Sequence, residues 1–163
     1  MRSLTPDSET ILVTEHDQTI RNLVCCALSR EGYRIVQASS AEEAVRTAAR
    51  HESKIDLLVT ETLLPTLRGS ELAELVKLDY PKLQVVYLSA SIDAALRAHA
   101  RRSRVVVLQN PFRSDRLRQA VREALDKQTS KDGMKFLTRP FLSLLLRCWQ
   151  KVALPVKTAC RPG

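Results

Sequence analysis

Glycine is scarce in this 163-residue chain: there are four, Gly32, Gly69, Gly133 and Gly163, and none in the turn after the first apolar run. Nucleotide and flavin sites in open α/β folds cradle phosphate with glycine-rich backbone at that turn, so such binding is not expected. Aromatic residues number only seven, which leaves a mostly aliphatic core. The four cysteines, Cys25, Cys26, Cys148 and Cys160, have neither metal-ligand spacing nor the pattern of a disulfide framework. They are expected to be buried free thiols in a reducing compartment. No uncharged apolar stretch reaches 18 residues and no charged-then-apolar leader opens the sequence, so the expectation is a cytoplasmic protein. No Ser-His-Asp or Cys-His set is spaced for nucleophilic catalysis, and no enzymatic activity is expected.

Acidic residues are missing from one region in particular. The formal net charge is +8, yet residues 1–126 hold 18 Lys and Arg against 17 Asp and Glu. Residues 127–163 hold eight basic residues and a single acidic one, Asp132. The basicity therefore belongs to the tail, and the chain divides into an N-terminal tail (1–9), a folded domain (10–126), a linker (127–139) and a basic C-terminal tail (140–163).

With 44% hydrophobic residues, the central part can build a core. Apolar runs at Ile11 to Val13, Arg34 to Ala38, Asp56 to Thr60, Gln84 to Leu88 and Val105 to Leu108 read as strands. Helical spacing joins Ile20, Leu23, Val24, Ala27 and Leu28, with Gly32 as terminator. It recurs through Ala41 to Ala48 behind the caps Ser39 and Ser40, through Leu72 to Val76, from Ile92 to Ala100, and from Leu117 to Leu125. Five strands alternating with five helices predict a doubly wound α/β sandwich with a parallel sheet in the order 2-1-3-4-5. The strands end in polar residues: Glu15-His16-Asp17, Glu61, Ser89 and Asn110-Pro111-Phe112. Carboxyl ends of parallel strands are where open α/β folds place their sites.

The segments Ile-Leu-Val-Thr-Glu-His-Asp at 11–17, Asp-Leu-Leu-Val-Thr-Glu-Thr-Leu-Leu-Pro-Thr-Leu-Arg-Gly at 56–69, Leu-Ser-Ala at 88–90 and Asn-Pro-Phe at 110–112 occur in order with the expected elements between them. From about Thr10 to Asp126 the chain resembles the receiver domain of bacterial two-component response regulators, the flavodoxin-like module also seen in the chemotaxis response regulator. The resemblance implies a phosphorelay partner, and a site in which an acidic pair follows strand one and a phospho-accepting Asp follows strand three. It also implies a Thr or Ser after strand four and a Lys before Pro-Phe after strand five. In this chain those positions hold Glu15 and His16 beside Asp17, then Glu61, Ser89 and Asn110. The family's switch aromatic falls on Val107, its Gly-Ala before strand five on Ser103-Arg104, and the Asn110-Pro111 bond is expected to be cis.

By that resemblance, the family's aspartate attacks a phosphohistidine while Mg²⁺ and the Lys ammonium neutralise the phosphoryl oxygens. Glu61 carries its carboxylate one methylene, roughly 1.5 Å, further out. A misplacement of about 1 Å can cost on the order of 10²-fold. Mg²⁺ prefers oxygen ligands, in the family the carboxylates at positions 16 and 61 and the main-chain carbonyl at Leu63; an imidazole at His16 suits transition metals better. Asn110 carries no charge. No metal or cofactor is therefore expected, and His16 is read first as a hydrogen-bonded neighbour of Glu15 and Glu61, with a raised pKa. The expected function is that of a pseudo-receiver acting by protein contact. The alternatives are that Glu61 imitates aspartyl phosphate or is simply a solvated residue at a strand end.

Residues Pro140 to Leu154 form an amphipathic pattern in which Phe141, Leu145 and Trp149 make a hydrophobic anchor. Fifteen helical residues span only about 22 Å, short of a bilayer core of roughly 30 Å. The tail could pack on the domain, dock into a protein partner or a second copy in a homodimer, or lie on an anionic membrane. The pI of about 9.7 keeps non-specific nucleic-acid contact open. Specific DNA binding is not expected, because 37 residues leave no room for a helix-turn-helix unit. Arg101, Arg102 and Arg104 suggest an acidic partner.

Overall fold

The computed structural model describes residues 9–103 and 105–129. Ten elements alternate: β1 (Thr10–Thr14), α1 (Gln18–Ser29), β2 (Arg34–Ala38), α2 (Ala41–Arg50), β3 (Leu57–Glu61), α3 (Gly69–Lys77), β4 (Gln84–Ser89), α4 (Ala94–Ser103), β5 (Val106–Gln109) and α5 (Ser114–Thr129). The strands form one parallel sheet in the order β2-β1-β3-β4-β5, as the alternation predicts. Phe141, Leu145 and Trp149, with the rest of the basic tail, lie outside the described residues.

Parallel strands need long crossovers, so helices cover both faces and the strands are apolar throughout rather than alternating. The pleat divides the core. Leu12 and Leu58 face α2 and α3, where Ala44, Val45, Ala48, Leu72 and Val76 meet them. Ile11, Val13, Leu57 and Val59 face α1 and α5, against Val24, Leu28, Leu117, Val121 and Leu125. Each such aliphatic side chain contributes roughly 1.5–3 kcal/mol when fully buried.

Helix starts follow local capping chemistry. The Ser40 hydroxyl accepts from the Glu43 N–H at 3.2 Å and starts α2. The Asp93 carboxylate accepts from the Leu96 N–H at 2.7 Å, which moves the start of α4 to Ala94 from the expected Ile92. The same helix runs on to Ser103, and α5 continues to Thr129, into the stretch read as linker.

Three side chains of α1 depart from expectation. Leu23 is 46% exposed, Cys26 is exposed and Cys25 is half-buried, rather than all belonging to the core. The core-facing row of α1 is the half-buried Ile20 with the buried Val24 and Leu28, spaced i, i+4. At about 100° per residue, Leu23 and Cys26 lie about 100° and 200° around the helix from Val24. Cys25 flanks the row and turns its thiol toward the Gln37 side-chain oxygen at 3.7 Å.

One glycine is fixed by close approach. A Cβ on Gly69 would lie 2.2 Å from the main-chain oxygen of Glu61, while the Gly69 N–H donates to the Thr62 oxygen at 3.0 Å. The start of α3 is thereby clamped onto the end of β3. We predict that Gly69→Ala lowers stability by about 1–3 kcal/mol through overpacking. Urea unfolding would measure this, and a loss below about 0.5 kcal/mol, the range of ordinary surface changes, would contradict the clamp.

Candidate functional site

β1 and β3 are neighbours in the sheet, and their carboxyl ends bring residues 45 positions apart into contact. Glu15 follows β1 and is buried, with 3% exposure, while its Oε1 accepts from the Asp17 N–H at 3.0 Å. His16 is exposed but its ring turns inward. Its Nδ1 lies 2.6 Å from Glu61 Oε1 and 3.3 Å from Glu15 Oε1. The His16 main-chain N–H donates to the same Glu61 oxygen at 3.1 Å. Glu61 Oε1 is thus approached by two groups from one residue.

Electrostatics follow from this geometry. The hydrogen bond to Glu61, then the charge of that carboxylate, raise the His16 pKa above the ordinary 6.5. Burial raises the Glu15 carboxyl, partly opposed by the hydrogen bond from the Asp17 N–H. The ring nitrogen within reach of both carboxyl groups thus favours protonation of His16 relative to an isolated imidazole.

The other sequence-identified residues are distributed unevenly around this cluster. Asp17, expected in the acidic pocket, instead caps α1, accepting from the Thr19 and Ile20 N–H groups at 2.7 and 2.9 Å. An Asp at an N-cap satisfies helix donors that would otherwise be orphaned, and that requirement takes the carboxylate out of the pocket. Ser89, at the end of β4, is buried, and its hydroxyl donates to the Ser91 carbonyl at 2.6 Å. Asn110 anchors its loop through its main-chain N–H, which donates to the Ser89 carbonyl at 2.7 Å, and the Asn110–Pro111 bond is cis. Val107 is half-buried on β5 and packs against the α2/α3 side of the core.

Four contributors carry no sequence pattern that singles them out. Thr62 sets its hydroxyl 3.1 Å from that of Ser89, linking the loops after β3 and β4. Arg21, one helical turn after Asp17, donates to the Glu15 and His16 carbonyls at 2.7 and 3.3 Å and holds the β1–α1 loop. Tyr87 and His99 are the more consequential pair. Tyr87 stands directly opposite Val107 in the β4–β5 register, so both side chains share a face. The Tyr87 ring is 4% exposed and its centroid lies 6.2 Å from that of His99 on α4. Burial pushes its phenol up to about 12. The aromatic volume that the family resemblance places on β5 is supplied here from β4, beside a cleft of about 320 Å³ that Thr62, Arg68, Ser89 and His99 also line. Only the strand-pairing register carries this signal, since Tyr87 and Val107 are 20 residues apart in sequence.

A pH dependence follows. Because the folded-state pKa of His16 is raised, its pairing contributes stability that is fully present below the ordinary 6.5 and is lost as pH rises through the raised folded value. An NMR titration of His16 is expected to give a midpoint above 6.5 that falls toward it in Glu61→Gln. A wild-type midpoint at or below 6.5 would contradict the pairing.

Comparison with known proteins agrees with the sheet order and the family resemblance. The family model for the response regulator receiver domain matches residues 11–122. The chain is 26% identical over 122 residues to the sensor kinase CckA of Brucella abortus (strain 2308), and 30% identical over 122 residues to the DNA-binding transcriptional regulator NtrC of Azospirillum brasilense. These matches cover 74% of this chain but only 13% and 25% of those proteins. Among solved structures, a signal receiver domain of an HD domain-containing protein from Pseudomonas fluorescens Pf-5 aligns with a TM-score of 0.66 at 26% identity, covering 76% of this chain and 98% of that one. A CheY-like receiver domain protein from Methanospirillum hungatei JF-1 aligns with the same TM-score at 20% identity and the same coverage. Among the described residues no helix is long and apolar enough to cross a membrane. With its sheet order and family match in agreement, the chain belongs to the response regulator receiver domain family.

Proposed function

We propose that this chain is a pseudo-receiver: a cytoplasmic, non-enzymatic member of a two-component signalling system that acts by protein contact without phosphorylation at the acceptor position. One observation carries the reading. The carboxylate at that position, Glu61, is engaged through Oε1 by both the ring and the main-chain N–H of His16. A nucleophilic oxygen held as a hydrogen-bond acceptor is a weaker nucleophile.

The surroundings support the same conclusion. A phosphoryl group on Glu61 would gather about two negative charges next to the buried Glu15 carboxylate. Asn110 can offer it hydrogen bonds but no cation, so the electrostatic stabilisation of the transition state is reduced. The phosphate-mimic reading has less support, because the Ser89 hydroxyl proton is committed to the Ser91 carbonyl rather than turned to Glu61. Exposed Arg97, Arg101 and Arg102 on α4 favour an acidic protein as the partner.

The test is phosphotransfer. Incubated with acetyl phosphate or with a phosphorylated histidine kinase, the wild-type chain, Glu61→Asp and Asn110→Lys are expected to take up no phosphate. The Glu61→Asp/Asn110→Lys double variant is expected to gain measurable labelling, because it restores both the nucleophile length and the cation. Stoichiometric labelling of wild-type Glu61, seen by intact-mass spectrometry, would refute the proposal.

A further inference from the structure

The fold family's Mg²⁺ does not fit the donor set at the ends of β1 and β3. Mg²⁺ takes oxygen ligands in near-octahedral geometry at about 2.0–2.1 Å. Here an imidazole nitrogen occupies the middle of the cluster. His16 Nδ1, one oxygen of Glu15 and one of Glu61 all lie within 4.8 Å of one another.

We propose that this cluster is a site for a first-row transition ion of the Zn²⁺, Co²⁺ or Ni²⁺ class, bound by His16 Nδ1 with one carboxylate oxygen each from Glu15 and Glu61, and that it discriminates against Mg²⁺. Imidazole nitrogen with carboxylate oxygen is the ligand mixture these ions take. In the sequence alone the pairing of His16 with a carboxylate outweighs ligation. The fold adds the convergence of three ligand atoms on one point.

One edge of the cluster already has the length a small tetrahedral ion requires. Bonds of about 2.0 Å imply ligand-to-ligand edges of about 3.3 Å. Nδ1 and Glu15 Oε1 are already 3.3 Å apart. Glu61 Oε1, at 2.6 Å from Nδ1, is in hydrogen-bond contact and must withdraw by about 0.7 Å when the ion replaces the shared proton. Glu61 can do so through its side-chain torsions, being only partly buried on a terminal strand position. Glu15 needs no such movement: it is buried and oriented by the Asp17 N–H, the kind of outer hydrogen bond that fixes a ligand. Two carboxylates balance the dication. The exposed side of the His16 ring leaves a fourth position open to water or to a partner's side chain. None of this depends on whether Glu61 can be phosphorylated.

Co²⁺ titration of the tag-free full-length chain tests the site through its ligand-field absorbance, with calorimetry for Zn²⁺ and Mg²⁺. One equivalent of Co²⁺ is expected to bind, to be displaced by Zn²⁺, and to be unaffected by a large excess of Mg²⁺. Loss of a direct ligand in His16→Gln should weaken Co²⁺ binding by at least about tenfold, since outer hydrogen-bond partners alone are worth 10- to 100-fold. His16→Asp should shift the preference back toward Mg²⁺, while Cys25→Ser/Cys26→Ser should leave Co²⁺ binding unchanged. In the wild-type chain, with no substitution, Co²⁺ should broaden the His16 ring resonances before those of His51 and His99. Absence of stoichiometric binding, displacement by Mg²⁺ at comparable concentration, or Co²⁺ affinity unchanged in His16→Gln would each overturn the proposal.

Discussion

β3 runs through the centre of the sheet with Leu57, Leu58, Val59 and Thr60 fully buried, and this constrains everything around it. A charged side chain anywhere along those four positions would incur a desolvation penalty with no partner to offset it. Glu61, the first residue at which the strand emerges, is where a charge can reach water or a partner. The same holds for β1, whose Thr10 to Thr14 are buried and whose charged residues begin at Glu15. Because the two strands pair in register, their first charged residues come out side by side. The pocket is therefore a result of sheet burial before it is a result of any chemistry.

That burial is also why so much of the fold is legible in the order of residues alone. Continuous apolar runs of four to six residues, with amphipathic stretches between them, leave few arrangements other than a doubly wound sheet, and the polar strand ends then fall at one edge. Direction within short segments is what the pattern does not carry. Leu23 and Cys26 belong to an apolar-looking helix but point away from its buried row. Asp17 has the right charge for the pocket and the right position for a cap, and the unsatisfied N–H groups of α1 decide for the cap. Asp93 decides the start of α4 in the same way. Tyr87 is legible only as a strand residue, because its significance depends on what lies opposite it on β5.

The charge balance of the pocket has moved as well as changed. In the family pattern that the chain resembles, cationic charge reaches the pocket from a lysine on the fifth strand. Here the basic group in the pocket is His16, on the same loop as the buried Glu15 and in contact with Glu61. Arg21 reinforces that loop from behind by holding two of its carbonyls. Through its ring and its main-chain N–H, His16 joins the end of β1 to the end of β3. The site is thus stabilised locally, and the Asn110 loop is tied to β4 through main-chain hydrogen bonding instead.

The position of Tyr87 ties the aromatic ring to the hydroxyl residue of its own strand. Tyr87 stands on β4 itself, two residues and about 6.6 Å before Ser89, within the same hydrogen-bonded strand. Its ring stands across from Val107 on β5, with its centroid 6.2 Å from that of His99 on α4. The ring and the Ser89 hydroxyl are therefore carried at a fixed spacing on one strand and one face of the sheet, with α4 beside the ring.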